Sequence, residues 1–283
     1  MKLVSYYAEV GLRSGFVIDG MVHEMDLGAA GLRSILLGGP EAARNAATGK
    51  TIDLASVTLA PPISDSDKII CVGLNYHEHV EETGREPVGY PTIFTRFADT
   101  QVGHQQAIIA PSVSERVDYE GELAIIIGKP GRNIAEEDAF DHIAGYACYN
   151  DVSIRDWQRH GNQWTPGKNF PGTGPFGPWI VTADEVADPE NLKIETRVNG
   201  ETLQSASTSQ LIFSIPVLLA YISKFTPLRT GDVICTGTPG GVGFTRTPPI
   251  FLRPGDTVEV EIEHVGLLQN AVVAETSEHI SAI

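Results

Sequence analysis

Basic residues are scarce in this chain, where 20 Lys and Arg stand against 36 Asp and Glu for a formal net charge of -16. Sequence-independent binding to nucleic acid draws its affinity from cations that release counterions from phosphates, so neither nucleic acid nor an anionic membrane is an expected partner. Cysteine is rare too. Cys71, Cys148 and Cys235 lie far apart among apolar neighbours, without CxxC or zinc-ribbon spacing, and read as buried free thiols. No uninterrupted apolar run approaches the roughly 18 residues a membrane helix needs. The opening MKLVSYYAEVGLRSG has no continuous apolar stretch ahead of a small-residue cleavage site, so no signal peptide is expected and the cytoplasm is the expected compartment. The absence of a GxSxG elbow removes serine chemistry of the α/β-hydrolase type. The formal GxGxxG match at Gly172–Gly177 contains a proline and runs into strand-like PWIVT, where a dinucleotide site needs a helix.

What is present suits a folded globular protein. The hydrophobic fraction is 42%, and 283 residues allow one large domain, or one large and one small. The first 65 residues read as a small α+β domain. LVSYYAEV, SGFVIDG and MVHEM are short strands with a hairpin turn at Asp19-Gly20, followed by helical segments near Leu32–Leu37 and Glu41–Ala47. LAPPISDSDK then looks like a linker. From residue 66 to 283, KIICVGL, VDYEGELAIIIG, GDVICTGTPGG and DTVEVEIEHVGLLQNAVV are strand material. NYHEHVEETG is a short helix ending at Gly84, and SQLIFSIPVLLAYISKF is a helix restarted near Pro216. Strands outnumber helices, so the expected fold class is mixed and mostly β.

Residues two apart on a strand share a face, so Glu120, Glu122, Ala124 and Ile126 line one side while Leu123, Ile125 and Ile127 line the other. Both faces are apolar further on. A strand buried on both sides that begins with two neighbouring carboxylates needs a cation between them. Asp151 follows the apolar segment IAGYACYN, and three carboxylates without clustered His or Cys suit a hard cation, Mg²⁺ or Mn²⁺. A solvated strand edge gives the same spacing. His79 and Glu82, three apart on a helix, are neighbours on one face, in an arrangement fit for a general base; an exposed acidic helix, with Glu78 and Glu81 beside them, reads the same. His77 reads as structural. Glu81 stands where a zinc-protease HExxH would need its second His.

Five ordered segments, GLNYHEHVEE, DYEGELAIIIGK, GYACYNDVSIRDWQ, PGKNFPGTGPFGPW and LRTGDVICTGTPGGVG, resemble the fumarylacetoacetate hydrolase family from about Lys68 to the end. The resemblance implies a β-sandwich roll with few helices, usually dimeric. It also implies Glu120, Glu122 and Asp151 as metal ligands, and His79, Glu82 and Lys168 as catalytic residues. Arg155, Gln158, Gly237 and Thr238 become substrate contacts; taken singly, these are also ordinary surface cations and an ordinary glycine turn. The chain departs from the family pattern at Pro171, where many members carry Asp after GKxF. The expected activity is metal-dependent hydrolysis of a C–C bond in an acylpyruvate-like β-diketo acid, releasing pyruvate and a carboxylic acid. The alternatives are oxaloacetate decarboxylation and isomerisation or hydration of a 2-hydroxy-dienoate. The expected small-molecule partner is a 2-oxo or β-diketo acid.

Overall fold

A computed structural model describes residues 1–86 and 89–277. Strands β1 (Lys2–Ala8), β2 (Gly11–Ile18) and β3 (Met21–Met25) form the expected meander. Asp19 and Gly20 both take positive φ, 48° and 75°, as a two-residue hairpin turn that follows strand twist requires. Helix α1 (Gly39–Asn45) and strand β4 (Ala47–Asp53) follow. The helix expected near Leu32–Leu37 is instead a 3-10 stretch at Gly28–Ser34, broken at Gly31 by a left-handed residue. The expected linker is only partly one. Strand β5 (Thr58–Ala60) pairs with β1, and Pro61, Pro62 and Ile63 are buried, with Ser5 Oγ donating to the Pro62 carbonyl at 2.8 Å. Proline and serine signal irregular backbone, and here that irregularity is packed rather than exposed.

The chain continues through β6 (Ile69–Gly73), α2 (His77–Thr83), β7 (Thr92–Arg96), β8 (Gln101–Val102), β9 (Ile108–Ala110) and β10 (Val117–Asp118). Strands β11 (Gly121–Ile127), β12 (Ile143–Asn150) and β13 (Ser153–Ile154) lead into two single-turn helices, α3 (Arg155–Gln158) and α4 (Thr165–Lys168). Strands β14 (Gly174–Thr182), β15 (Lys193–Val198) and β16 (Glu201–Ser207) precede helix α5 (Ile215–Phe225), which carries Pro216 in its first turn, where a missing N–H costs nothing. Strands β17 (Val233–Cys235), β18 (Thr257–Ile262) and β19 (Gly266–Ala274) close the chain.

The large sheet runs β4-β3-β2-β1-β14-β12-β11-β17-β6-β7, with β5 and β8 attached to β1 and β14. It is therefore continuous from the N-terminal meander, through the β1–β14 pairing, into the strands that carry the site. A second sheet, β16-β15-β18-β19-β9, packs on one face of the first. Between them lie Leu123, Ile125 and Ile127 of β11 with Tyr146 and Cys148 of β12, against Ile194, Val260, Ile262 and Leu268. On the other face Ala124, Ile126, Ala147 and Ile180 meet Leu32, Ile35, Leu36 and Ala43 from the N-terminal segment. Every residue of β11 is buried. Each large apolar side chain contributes about 1.5–3 kcal/mol, so a one-residue slip of β11 would cost far more than any single contact in the site. All three cysteines are free and buried. Among the described residues no helix is long and apolar enough to cross a membrane.

Candidate functional site

Antiparallel pairing of β11 with β12 sets Gly121 opposite Asn150, so the residue before one strand meets the residue after the other. The Asp151 N–H donates to the Glu120 carbonyl at 2.8 Å, and the Glu120 N–H donates to Asn150 Oδ1 at 3.0 Å. Glu122 lies one alternation further along the face of Glu120. One oxygen from each of Glu120, Glu122 and Asp151 falls within 4.8 Å of the others, and all three residues are buried. A solvated strand edge is thereby excluded.

Cations surround two of these carboxylates. Lys168 Nζ donates to Glu120 Oε2 and to Asp151 Oδ2, each at 2.6 Å. Arg155 Nη1 lies 2.6 Å from Glu120 Oε1, and its Nε donates to Asp118 Oδ2 at 2.8 Å. Arg96, at the end of β7, donates through Nη1 to Asp151 Oδ1 at 2.7 Å and to the Val152 carbonyl, and through Nη2 to Thr173 Oγ1 at 2.7 Å. Among the described residues Glu122 has no such cationic partner; its Oε2 accepts the Gly237 N–H at 2.9 Å. Burial raises both glutamates, but Lys168 and Arg155 outweigh it at Glu120 and hold that carboxyl well below the usual range. At Glu122 burial and the charges of Asp151 and Glu120 win, pushing it well above that range. Lys168 is pulled down by burial and raised further by Asp151 and Glu120, so it stays an ammonium.

Four buried carboxylates, Asp118, Glu120, Glu122 and Asp151, thus face three buried cations, Arg96, Arg155 and Lys168. The carboxylate left unmatched is Glu122, within reach of two others, and its upward shift means that it ionises fully only when a further cation joins the cluster. Hard oxygen donors with no His or Cys fit a hard dication such as Mg²⁺ or Mn²⁺, and a dication there would leave the site with a net charge of +1, suited to an anionic substrate.

Helix α2 places a second group beside this cluster. His79 Nδ1 lies 2.7 Å from Glu82 Oε1, as the three-residue spacing predicts. Read as an Nδ1–H donor to the carboxylate, the ring has Nε2 left for proton transfer. Glu82 Oε2 accepts from the Gly241 N–H at 2.8 Å and from Thr245 Oγ1 at 2.9 Å. Burial raises Glu82, yet these donors together with His79 bring it below the usual range. His77, Glu78 and Glu81 are exposed. One helix therefore has a solvated acidic face and an inward dyad.

A cavity of about 360 Å³ joins the parts, with His79, Glu120, Glu122, Arg155, Gln158 and Lys168 on its wall. Gln158 Oε1 accepts from Arg155 Nη1 at 3.1 Å, and Arg155 Nη2 is buried without a partner among the described residues, a donor placed for an incoming oxygen. Thr238 also lines the cavity, but its hydroxyl donates to the Gly121 carbonyl at 3.0 Å and accepts from Gln204 Nε2 at 2.8 Å. Gly237 acts on Glu122. Its φ is +108°, and a Cβ would come within 2.8 Å of Asn75 Cβ, so this loop admits only glycine. At Gly167 a Cβ would overlap the backbone of Gln158; its absence lets α4 lie against α3 and brings Lys168 to the carboxylates.

Sequence reasoning missed Arg96, Asp118, Asn150 and the Gly241–Thr245 support of Glu82. Asp118 had a signal, since it stands two residues before Glu120 in VDYEGE; Arg96, closing the apolar strand TIFTR, had only a faint one.

Comparison with known proteins agrees with this architecture. Residues 68–273 match the family of the fumarylacetoacetate (FAA) hydrolase C-terminal domain. The chain is 48% identical over 221 residues to human oxaloacetate tautomerase FAHD2A, mitochondrial, covering 77% of this chain and 70% of that protein. Fumarylacetoacetate hydrolase from Exiguobacterium antarcticum superposes with a TM-score of 0.86 at 37% identity, over 97% of this chain and 100% of the other. 2-Hydroxyhepta-2,4-diene-1,7-dioate isomerase from Mycobacterium marinum gives 0.81 at 35%, over 98% and 100%. A buried carboxylate trio at the joint of two antiparallel strands, matched by sequence over most of the chain and by fold over nearly all of it, identifies the protein as a member of the fumarylacetoacetate hydrolase family.

Proposed function

We propose that this enzyme takes a proton from, and returns it to, the carbon beside the carbonyl of a small 2-oxo acid, interconverting keto and enol forms with the help of Mg²⁺ or Mn²⁺. One observation carries the reading: the His79–Glu82 dyad, at 2.7 Å, opens into the same cavity as Glu120, Glu122 and Lys168. A proton-transfer group facing a centre of positive charge is what enolisation requires. The relatives near 48% identity are named as oxaloacetate tautomerases, which supports the choice.

In this proposal Glu120, Glu122 and Asp151 hold the metal, whose chemistry is Lewis-acid polarisation of the substrate's carbonyl and carboxylate oxygens. Arg155 offers its unpaired Nη2 to a substrate oxygen, and Gln158 fixes that guanidinium from the side. His79 Nε2 receives the carbon-bound proton while Glu82 keeps the ring in one tautomer and steadies the imidazolium. Lys168 and Arg155 keep positive charge next to the oxygen on which negative charge grows. Return of the proton to either carbon or oxygen completes the turnover. Gly237, expected at the substrate carboxylate, is given the task of orienting Glu122, and Thr238 that of anchoring the same loop.

Hydrolysis of an acylpyruvate is the second reading, favoured by the same dyad, because a base held by a carboxylate can activate water as well as accept a carbon-bound proton. It shares the enol with tautomerisation and adds attack of water at the distal carbonyl. An assay with oxaloacetate, acylpyruvates and a 2-hydroxy-dienoate, each with Mg²⁺, Mn²⁺ or chelator, separates them. Metal-dependent enol–keto interconversion without acylpyruvate cleavage supports the first reading, and cleavage releasing pyruvate replaces it with the second. If none of the substrates reacts, both are wrong. The homodimer and the cytoplasmic location belong to the proposal as well, to be checked by sedimentation and cell fractionation; several relatives carry "mitochondrial" in their names.

A further inference from the structure

Four of the 20 basic side chains line the cavity that holds the carboxylate trio: Lys168, Arg155, Arg85 and Arg159. The first two are ion-paired with Glu120, Asp118 and Asp151, with Arg155 Nη2 alone left over among the described residues. The other two are not. Arg85, just past the end of α2, and Arg159, just past α3, make no ion pair among the described residues, although acidic side chains outnumber basic ones by 36 to 20. Each is instead held over an aromatic wall of the cavity. The Arg85 guanidinium lies 5.3 Å from the Trp164 ring centroid, and that of Arg159 lies 5.0 Å from the Phe244 centroid, a ring that Arg155 also approaches, at 4.4 Å. Both arginines are exposed, whereas Arg155 and Lys168 are buried, so the cavity wall carries two deep cations paired with carboxylates and, nearer to solvent, two cations without an ion pair among the described residues.

This arrangement discriminates between substrate tails. An apolar acyl tail would need the faces of Trp164 and Phe244, and both are already covered by guanidinium groups. A carboxylate instead meets two cations, each resting beside an aromatic ring and each with a guanidinium fork able to bind it. We propose that Arg85 and Arg159 form a second anion subsite on the part of the cavity wall nearer to solvent, which selects 2-oxo acids carrying a second, distal carboxylate. The inference rests on the preceding functional reading for the identity of the buried part, but not for the recognition itself.

The test uses the Mg²⁺-loaded full chain and two readouts. Hydrogen–deuterium exchange at C3, followed by NMR, is compared for oxaloacetate and its 4-amide. Calorimetry compares binding of malate with that of 2-hydroxybutyrate, independently of turnover. The wild type should favour the distal carboxylate in both, by about 10- to 100-fold, the usual span for a hydrogen bond to a charged group. In R85Q and R159Q that ratio should fall toward one, with the loss on oxaloacetate appearing in KM more than in kcat. A merely structural role would instead lower the rates on both substrates and leave the ratio where it was, overturning the proposal, as would a wild type that treats the members of each pair alike. If malate is preferred in binding while C3 exchange is absent, the subsite stands and the functional reading fails. If exchange is fast without any preference, the reverse holds.

Discussion

Replacing Arg96 by methionine keeps the length and apolar bulk of the side chain and removes one guanidinium from the buried charge cluster. In the wild type that group is 2% exposed and gives Asp151 Oδ1 a 2.7 Å hydrogen bond, with further bonds to the Val152 carbonyl and Thr173 Oγ1. Removing one partner of a buried ion pair costs about 3–5 kcal/mol, because the other charge remains without compensation. Two features place this site at the low end. Asp151 keeps Lys168 at 2.6 Å, and Arg96 Nε is itself buried without a partner among the described residues, so its loss removes a penalty. With a cost near 3 kcal/mol and about 2 °C per kcal/mol for a chain of this size, the melting midpoint should fall by about 6 °C. Differential scanning calorimetry at neutral pH reads this directly. Asp151→Asn supplies the other arm of a double-mutant cycle, and the pair should show a coupling above about 1 kcal/mol. Additive losses, or a single variant melting with the parent, would mean that the guanidinium does not compensate Asp151, and the charge count of the site would have to be redrawn.

Glu122→Gln should abolish calorimetrically detectable Mg²⁺ and Mn²⁺ uptake while leaving the fold intact by circular dichroism; retained uptake would contradict the assignment of the carboxylate trio. His79→Ala should lower kcat by about 10²- to 10⁴-fold, the range for a lost general base, with metal affinity unchanged. Glu82 has a carboxyl lowered in the fold, so its contribution to stability is fully present above the ordinary value of 4.5 and is lost as the pH falls through its lower folded value. Glu82→Gln should therefore flatten this acid part of the stability profile and leave its alkaline side alone, as thermal melts across pH would reveal. Gly167→Ala should displace α4 from α3 and lower activity through Lys168 with little change in fold, which kinetics and circular dichroism together would separate.

The legible part of this protein was local. Alternation along DYEGELAIIIG places Glu120 and Glu122 on the face of Ala124 and Ile126, and in the structure both faces of β11 are buried as that pattern requires. Three-residue spacing on a helix brings His79 to Glu82 in the same way. These relations arise within one element, from a period of 2.0 or 3.6 residues, and need no knowledge of a neighbour. Asp151 stood out as a third carboxylate closing an apolar strand, while family resemblance supplied the roles of Lys168 and Arg155, and matched segments extend that likeness over residues 68–273.

Other features were decided by tertiary contact. LAPPISDSDK reads as a linker by composition, yet its first residues pair with Ser5 and Tyr6 of β1, because β14 covers only Lys2 and Leu3 on that side and leaves the backbone groups beyond them for another strand. Thr238 resembles a substrate contact, but Gln204, 34 residues earlier in the chain, has claimed its hydroxyl. Arg96 meets Asp151 across 55 residues and Gly241 meets Glu82 across 159. Periodicity in the amino-acid order determines which way a side chain faces; which charge it faces depends on strands and loops brought together only when the core closes, and the carboxylates could be buried at all only because their compensating cations arrived from those distant segments.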